Sequence, residues 1–130
     1  DEGNGMTRIN CVPVDELCRQ HLIAEYRELP RLFGLIKRAI ERGESPNDPR
    51  NPRTYTLGKG HVRFFYDKVA WLLHRQWQLY KEMRKRGYQA NFKPSIEPAY
   101  CLGLDRYRWW VPDEEALRIN RARIAERMPT

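Results

Sequence analysis

Cysteine is scarce in this chain and poorly spaced for pairing. There are three, Cys11, Cys18 and Cys101. An odd count without a Cys-x-x-Cys step argues against a disulfide framework and suits a reducing, intracellular compartment. Cys11 and Cys18 lack zinc-ligand spacing, and no histidine pair completes a set. No Ser-His-Asp arrangement, phosphate-binding glycine loop, His-Glu-x-x-His helix or multi-carboxylate cluster is visible. Hydrolysis by an activated serine and metal-dependent nuclease chemistry are therefore both without support. Long apolar runs are missing as well, so no segment approaches the ~20 residues that a membrane span needs. The first residues are acidic and Gly-rich, unlike a secretion signal. No repeat or low-complexity stretch occurs.

What is present is positive charge. The 130 residues suit one domain with a real core, and they carry a formal charge of +7. The isoelectric point near 9.6 points to a polyanionic partner, most often nucleic acid. Solubility alone is the competing explanation, but many of the arginines cluster by helical face. Four Trp, seven Tyr and four Phe argue against a disordered basic tail.

Three helices follow from periodicity and end signals. Val12-Pro13-Val14-Asp15-Glu16 opens the first, with proline and acids at its start, and it is expected to run from about Asp15 to Arg42, ending at Gly43. Pro30 lies inside it and should bend it. Glu44 to Lys59 reads as a loop crowded with X-Pro steps. Its Arg50, Arg53 and Lys59 either face solvent or contact phosphate. A second helix is expected from near Gly60 to Gly87, with Val62, Phe65, Val69, Leu72, Leu73, Leu79, Tyr80 and Met83 as core. Lys81, Arg84, Lys85 and Arg86 suit the negative end of its dipole. His61 and His74 read as structural or exposed, not as ligands. Gln89 to Val111 reads as a long irregular connection. Its Tyr100, Tyr107, Trp109 and Trp110 either pack over the helices or stack on bases. Pro112-Asp113-Glu114-Glu115 opens the third helix, which reaches about Arg127 and puts Arg123 and Arg127 on one face. The expected fold is all-α, a single compact domain of three main helices with long irregular connections.

The stretch Gln20 to Gly34 divides into two faces at about 100° per residue. Cys18, Leu22, Tyr26, Leu29, Leu32, Phe33, Ile36 and Ile40 form an apolar arc. Gln20, Ala24, Arg27 and Arg31 lie nearly opposite, with His21 and Glu28 beside them. Glu28 is the odd member of that face, because an acid between Arg27 and Arg31 weakens phosphate binding. Flanked by cations it favours its ionised form, able to stabilise an oxocarbenium ion or take a proton. An intrahelical ion pair with Arg27 or Arg31 explains it equally simply. A nucleophile must come from elsewhere. Asp1 to Gly5 reads as a leader foreign to the domain, so the native chain would start at Met6 and, after trimming, at Thr7. The α-amine of Thr7, with an unperturbed pKa near 7.7–8.0, would be partly neutral at pH 7.

Three blocks carry a family resemblance: Met6-Thr7-Arg8-Ile9-Asn10, the run from Gln20 to Arg31, and Gly58-Lys59-Gly60-His61-Val62-Arg63-Phe64-Phe65-Tyr66-Asp67-Lys68. Together they closely resemble the pyrimidine dimer DNA glycosylases of the phage endonuclease V type. The likeness is strong through Lys68, patchy to Val111, and recognisable again in the last helix. It implies a combined N-glycosylase and abasic-site lyase. The residue matching Thr7 would supply an N-terminal amine that attacks C1′ of the 5′ pyrimidine and forms an imine. The glutamate matching Glu28 would stabilise that step and assist the strand-cutting β-elimination. Arg8, Gln20, His21, Arg27, Arg31, Arg123 and Arg127 match DNA-binding positions. The family kinks the duplex and flips out a base opposite the dimer.

On this reading the partner is double-stranded DNA containing pyrimidine dimers or abasic sites. No metal or organic cofactor is called for, since the imine is itself the electron sink. The protein would act as a cytoplasmic, nucleoid-associated monomer with no membrane contact. The alternative is a non-catalytic DNA-binding or architectural protein using the same basic face. Two departures stand out: residues 1–5 would block the Thr7 amine, and the aromatic basic tail of the phage enzyme has no counterpart before Thr130.

Overall fold

Proline makes the first division of the chain. The computed structural model describes residues 8–129. It contains α1 (Arg19–Glu28), α2 (Arg31–Glu41), α3 (Val69–Lys85), α4 (Glu97–Tyr100) and α5 (Glu114–Glu126). No strand occurs among the described residues, and the fold is the all-α domain expected from the sequence. The continuous helix from Asp15 to Arg42 is not found. Pro30 has no N–H for the carbonyl of Tyr26. The chain closes there through shorter-range bonds, Leu32 N–H to Leu29 O at 3.0 Å and Phe33 N–H to Pro30 O at 3.2 Å. The bend is thus a break into two helices.

The front of that element also differs. Val14–Glu16 is a 3-10 turn, followed by Leu17 in an extended conformation with its side chain buried. Arg86, just past α3, donates to the carbonyls of Val14 and Asp15 at 3.3 and 3.4 Å. The turn is drawn toward that helix end and does not continue into α1. The far end behaves as the sequence foretells. Gly43 adopts φ 82°, and Glu44 N–H returns to Ala39 O at 3.0 Å.

The second helix begins nine residues later than expected, at Val69 and not at Gly60. Phe64, Phe65 and Tyr66 are the reason. All three are buried, at 1%, 0% and 0% exposure. Successive helical residues fan out by about 100° each, so one helix face cannot cover three in a row. A 3-10 turn over Arg63–Phe65 buries them instead. Within α3 the expected Val69, Leu72, Leu73, Leu79 and Met83 are buried and Tyr80 is half-buried. On the first two helices Leu22, Tyr26, Leu29, Leu32, Phe33 and Ile36 are buried, while Ile40 reaches solvent. The third helix matches its sequence signal closely: Asp113 Oδ1 accepts from Ala116 N–H at 2.8 Å and starts α5.

The connection before α5 contains α4 and a 3-10 turn at Leu104–Arg106. It is fastened by Arg106, which is 2% exposed and donates to Tyr66 O at 3.0 Å and Glu44 O at 2.6 Å. Trp110 stacks on Tyr55 with centroids 5.9 Å apart. Tyr100 and Tyr107 remain exposed, and Trp109, also exposed, lies edge-on against His74 of α3 at 5.1 Å, so only Trp110 packs against the core as well as over the helices. In the loop before α3, Arg50 pairs with Asp48 at 2.9 Å, so its charge is engaged within the loop. His74 is exposed and His61 buried.

Candidate active site

Residues 8–12 form neither helix nor strand, yet side chains from four parts of the chain hold them. Ile9 N–H donates to His61 Nε2 at 2.8 Å, and Ile9 O accepts from Tyr55 OH at 3.0 Å. The Asn120 side-chain oxygen in α5 accepts from Cys11 N–H at 2.7 Å and Val12 N–H at 3.1 Å. Val12 O accepts from Arg75 Nη1 of α3 at 2.6 Å. Asn10 spans the gap between helices: its amide donates to Glu25 Oε1 of α1 at 2.9 Å and accepts from Asn120 Nδ2 at 2.8 Å.

Glu25 anchors this network. Arg75 Nε and Nη2 reach its two oxygens at 2.7 and 3.0 Å. The two side chains are 1% and 3% exposed. This is a fork-to-fork pair whose remaining donor and acceptor capacity is also used. The sequence therefore shows only one of two inward-facing acids on α1. Glu28 is not the lone carboxylate of that helix, because Glu25 lies three residues earlier toward the same cavity. The i, i+3 spacing is the signal that could have revealed it.

That cavity, about 220 Å³, is lined by Arg8, Asn10, His21, Ala24, Glu25 and Glu28 on one side and by Arg123, Ile124 and Arg127 on the other. It lies between the N-terminal segment, α1 and the end of α5. Five of the residues singled out in the sequence meet there: Arg8, His21, Glu28, Arg123 and Arg127. Gln20, Arg27 and Arg31 do not line it. Gln20 is exposed on α1. Arg31 sits at the start of α2 with Nη1 2.8 Å from Glu28 Oε2, the ion pair that spacing suggested. Arg27 lines a second cavity of about 360 Å³ with Arg19, Tyr26, Tyr88 and Phe92. Thr7 lies outside the described residues, one peptide bond before Arg8.

Electrostatics make the first cavity strongly cationic. Burial and the neighbouring Arg123 and Arg127 lower the pKa of Arg8 below the ordinary guanidinium value. Three like charges crowd one hollow, and a bound anion would relieve them. Arg8 Nη1 and Arg123 Nε are buried without a hydrogen-bond partner among the described residues. A buried donor left unpaired is costly, so such atoms point to a ligand. His21 is oriented by the carbonyl of Arg127, 3.0 Å from Nε2. A carbonyl only accepts, so Nε2 carries the proton, and the ring's Nδ1 is likewise buried without a hydrogen-bond partner among the described residues. The cavity thus joins cationic donors, an imidazole and two carboxylates, of which Glu25 is paired with Arg75 and Glu28 with Arg31.

Among the described residues no group of three His, Cys, Asp or Glu side chains converges to hold an ion. Cys11 is buried and its thiol is pushed up to about 12, chiefly by that burial, so it is no nucleophile. No helix among them is long and apolar enough to cross a membrane. A family model described as "Pyrimidine dimer DNA glycosylase" matches residues 6–94, leaving α5 with Asn120, Arg123 and Arg127 outside the matched range.

Proposed function

The chain belongs to the pyrimidine dimer DNA glycosylase family, and from that premise we propose that it excises the dimer through an imine on the Thr7 amine and then cuts the strand as an abasic-site lyase. The neutral amine attacks C1′ of the 5′ nucleotide, the glycosidic C–N bond breaks, and the base leaves with the bonding pair. Opening of the sugar gives a protonated imine. Loss of a C2′ proton then expels the 3′ phosphate in β-elimination, and water releases the amine. Glu28 stabilises the positive charge that develops at C1′ and assists the proton transfer. Arg8, Arg123 and Arg127 hold backbone phosphates, with His21, Gln20, Arg27 and Arg31 completing the DNA contact. The protein acts as a monomer on double-stranded DNA carrying dimers or abasic sites.

The observation that carries this reading is the shared cavity of Arg8 and Glu28. Arg8 follows Thr7 directly, so covalent geometry keeps the Thr7 nitrogen within about 4 Å of the Arg8 nitrogen. That proximity supports a site shared by nucleophile and carboxylate. The second cavity supports the base-flipping part. Tyr26, Tyr88 and Phe92 give it aromatic walls, and Arg19 lies over Tyr88 at 5.2 Å from the ring centroid. Such walls suit a base swung out of the duplex.

Borohydride reduction tests the chemistry. A chain with Thr7 made N-terminal, mixed with dimer-containing or abasic duplex, should give a covalent protein–DNA species. Absence of that species, or failure to nick irradiated plasmid while still binding DNA in a salt-sensitive way, would leave the non-catalytic alternative standing.

A further inference from the structure

The Gly58–Lys68 block is the one resemblance-bearing stretch to which neither the cavity nor the proposed chemistry gives a task. Its histidine reaches the N-terminal segment without lining that cavity. His61 is 3% exposed. Its Nδ1 is 2.8 Å from Thr56 O, so Nδ1 carries the proton, and the bare Nε2 accepts from Ile9 N–H at 2.8 Å. Tyr55 supplies the matching donor to Ile9 O at 3.0 Å. The two rings brace each other edge-to-face, with centroids 5.6 Å apart and planes at 81°. Phe65 closes on the imidazole from another side at 5.7 Å. The backbone before His61 is equally committed. Gly60 has φ 88°, and a Cβ there would stand 2.9 Å from Pro52 Cγ. Only glycine delivers the imidazole at that angle.

We propose that His61 and Tyr55 form a clamp on Ile9 that positions the N-terminal amine, making His61 a positioning residue for imine formation. This inference rests on the reading of Thr7 as nucleophile. Asn120, Glu25 and Arg75 fasten residues 10–12, farther along the chain. Among the described residues, Ile9 is the one nearest the amine whose two backbone groups are both gripped by side chains. Two residues separate its nitrogen from that of Thr7, so chain length alone limits the amine to about 7 Å from the Ile9 nitrogen, and the clamp fixes where that nitrogen sits. A nucleophile on a free terminus would otherwise sample far more space, and a misplacement of about 1 Å can cost about 100-fold in rate. No partner strand supplies this order, because the segment has no backbone ladder.

The experiment uses the chain beginning at Thr7 and abasic duplex, with single-turnover borohydride trapping as the rate readout. Affinity is read separately on duplex carrying a tetrahydrofuran abasic analogue, which cannot form an imine. His61→Leu removes the acceptor and should slow trapping by about 10- to 100-fold with analogue affinity unchanged. His61→Gln restores an acceptor and should recover most of the rate. Tyr55→Phe keeps the ring packing, loses only the bond to Ile9 O, and should slow trapping in a molecule that folds normally. Hydrogen exchange at the Ile9 amide should quicken in His61→Leu and stay slow in His61→Gln. Wild-type trapping rates in both His61→Leu and Tyr55→Phe would overturn the proposal. If the parent chain itself fails to trap, the amine chemistry falls. The clamp is then judged by Ile9 exchange: local loss of protection in His61→Leu upholds it as the anchor of the segment, and unchanged protection overturns it.

Discussion

Two carboxylates three residues apart on α1 should respond in opposite ways to the same chemical change. Glu25→Gln leaves shape and most hydrogen-bonding capacity but removes the charge that faces Arg75. Both side chains are nearly fully buried, at 1% and 3% exposure, so the guanidinium would be left inside the protein with only carbonyl and amide partners. Breaking a buried pair from one side costs roughly 3–5 kcal/mol. Unfolding entropy near 2.1 cal/mol/K per residue makes about 4 kcal/mol equal to a fall in Tm of roughly 15 °C for a domain of this size. Glu28→Gln removes a pair whose side chains are 48% and 32% exposed, worth a few tenths of a kcal/mol at most. Its Tm should move by a degree or two, while turnover on dimer DNA disappears and binding persists. Thermal melts by circular dichroism, paired with a plasmid nicking assay below both melting points, read the contrast. Equal melting temperatures would refute the assignment of Glu25 as the structural anchor. A stable, inactive Glu25→Gln would show that the wrong acid has been given the chemistry.

Other expectations follow from the same network. Burial, with Arg8 and Arg123 nearby, holds the His61 imidazole down to about 4. An unfolded imidazole titrates near 6.5, so between these values the unfolded chain binds the extra proton and acid weakens the fold, by roughly 3 kcal/mol once pH reaches 4. Denaturant melts at pH 7 and pH 4.5 should show a larger loss in the parent than in His61→Gln, and equal losses would contradict the folded-state value. Arg127→Ala should lower the salt slope of DNA binding by about one unit. It should leave Tm unchanged or slightly raised, because it relieves repulsion on Arg8. A clear fall in Tm would mean that the cations are not crowded in the free protein.

The sequence made helix ends legible wherever the stopping or starting device is local. Gly43, Gly87 and Asp113 each did what their residue type demands. It failed where burial on three sides overrode periodicity, at Phe64, Phe65 and Tyr66, and where Arg86 drew the Val14 turn away from α1. The candidate site divides along the same line. Glu28 and the arginines stood out because their chemistry is unusual for one helix face. Asn10, Glu25 and Asn120 did not, since each looks ordinary until its partners arrive from 15 to 110 residues away. Arg27 and Arg31 were legible as a basic face, yet the chain turns one toward the second cavity and gives the other to Glu28.

The mode of attachment of residues 8–12 has a kinetic consequence. Their fastenings span 46, 52, 63 and 109 residues of sequence. Loops of that length close late, after shorter-range contacts have offset their entropic cost. A folding intermediate with α1, α2 and α3 in place but α5 undocked would lack Asn120, Arg123 and Arg127, and with them the bonds to the Cys11 and Val12 amides and one wall of the first cavity. On the proposed mechanism, the cavity and its tethered segment would then be complete only once the last helix docks.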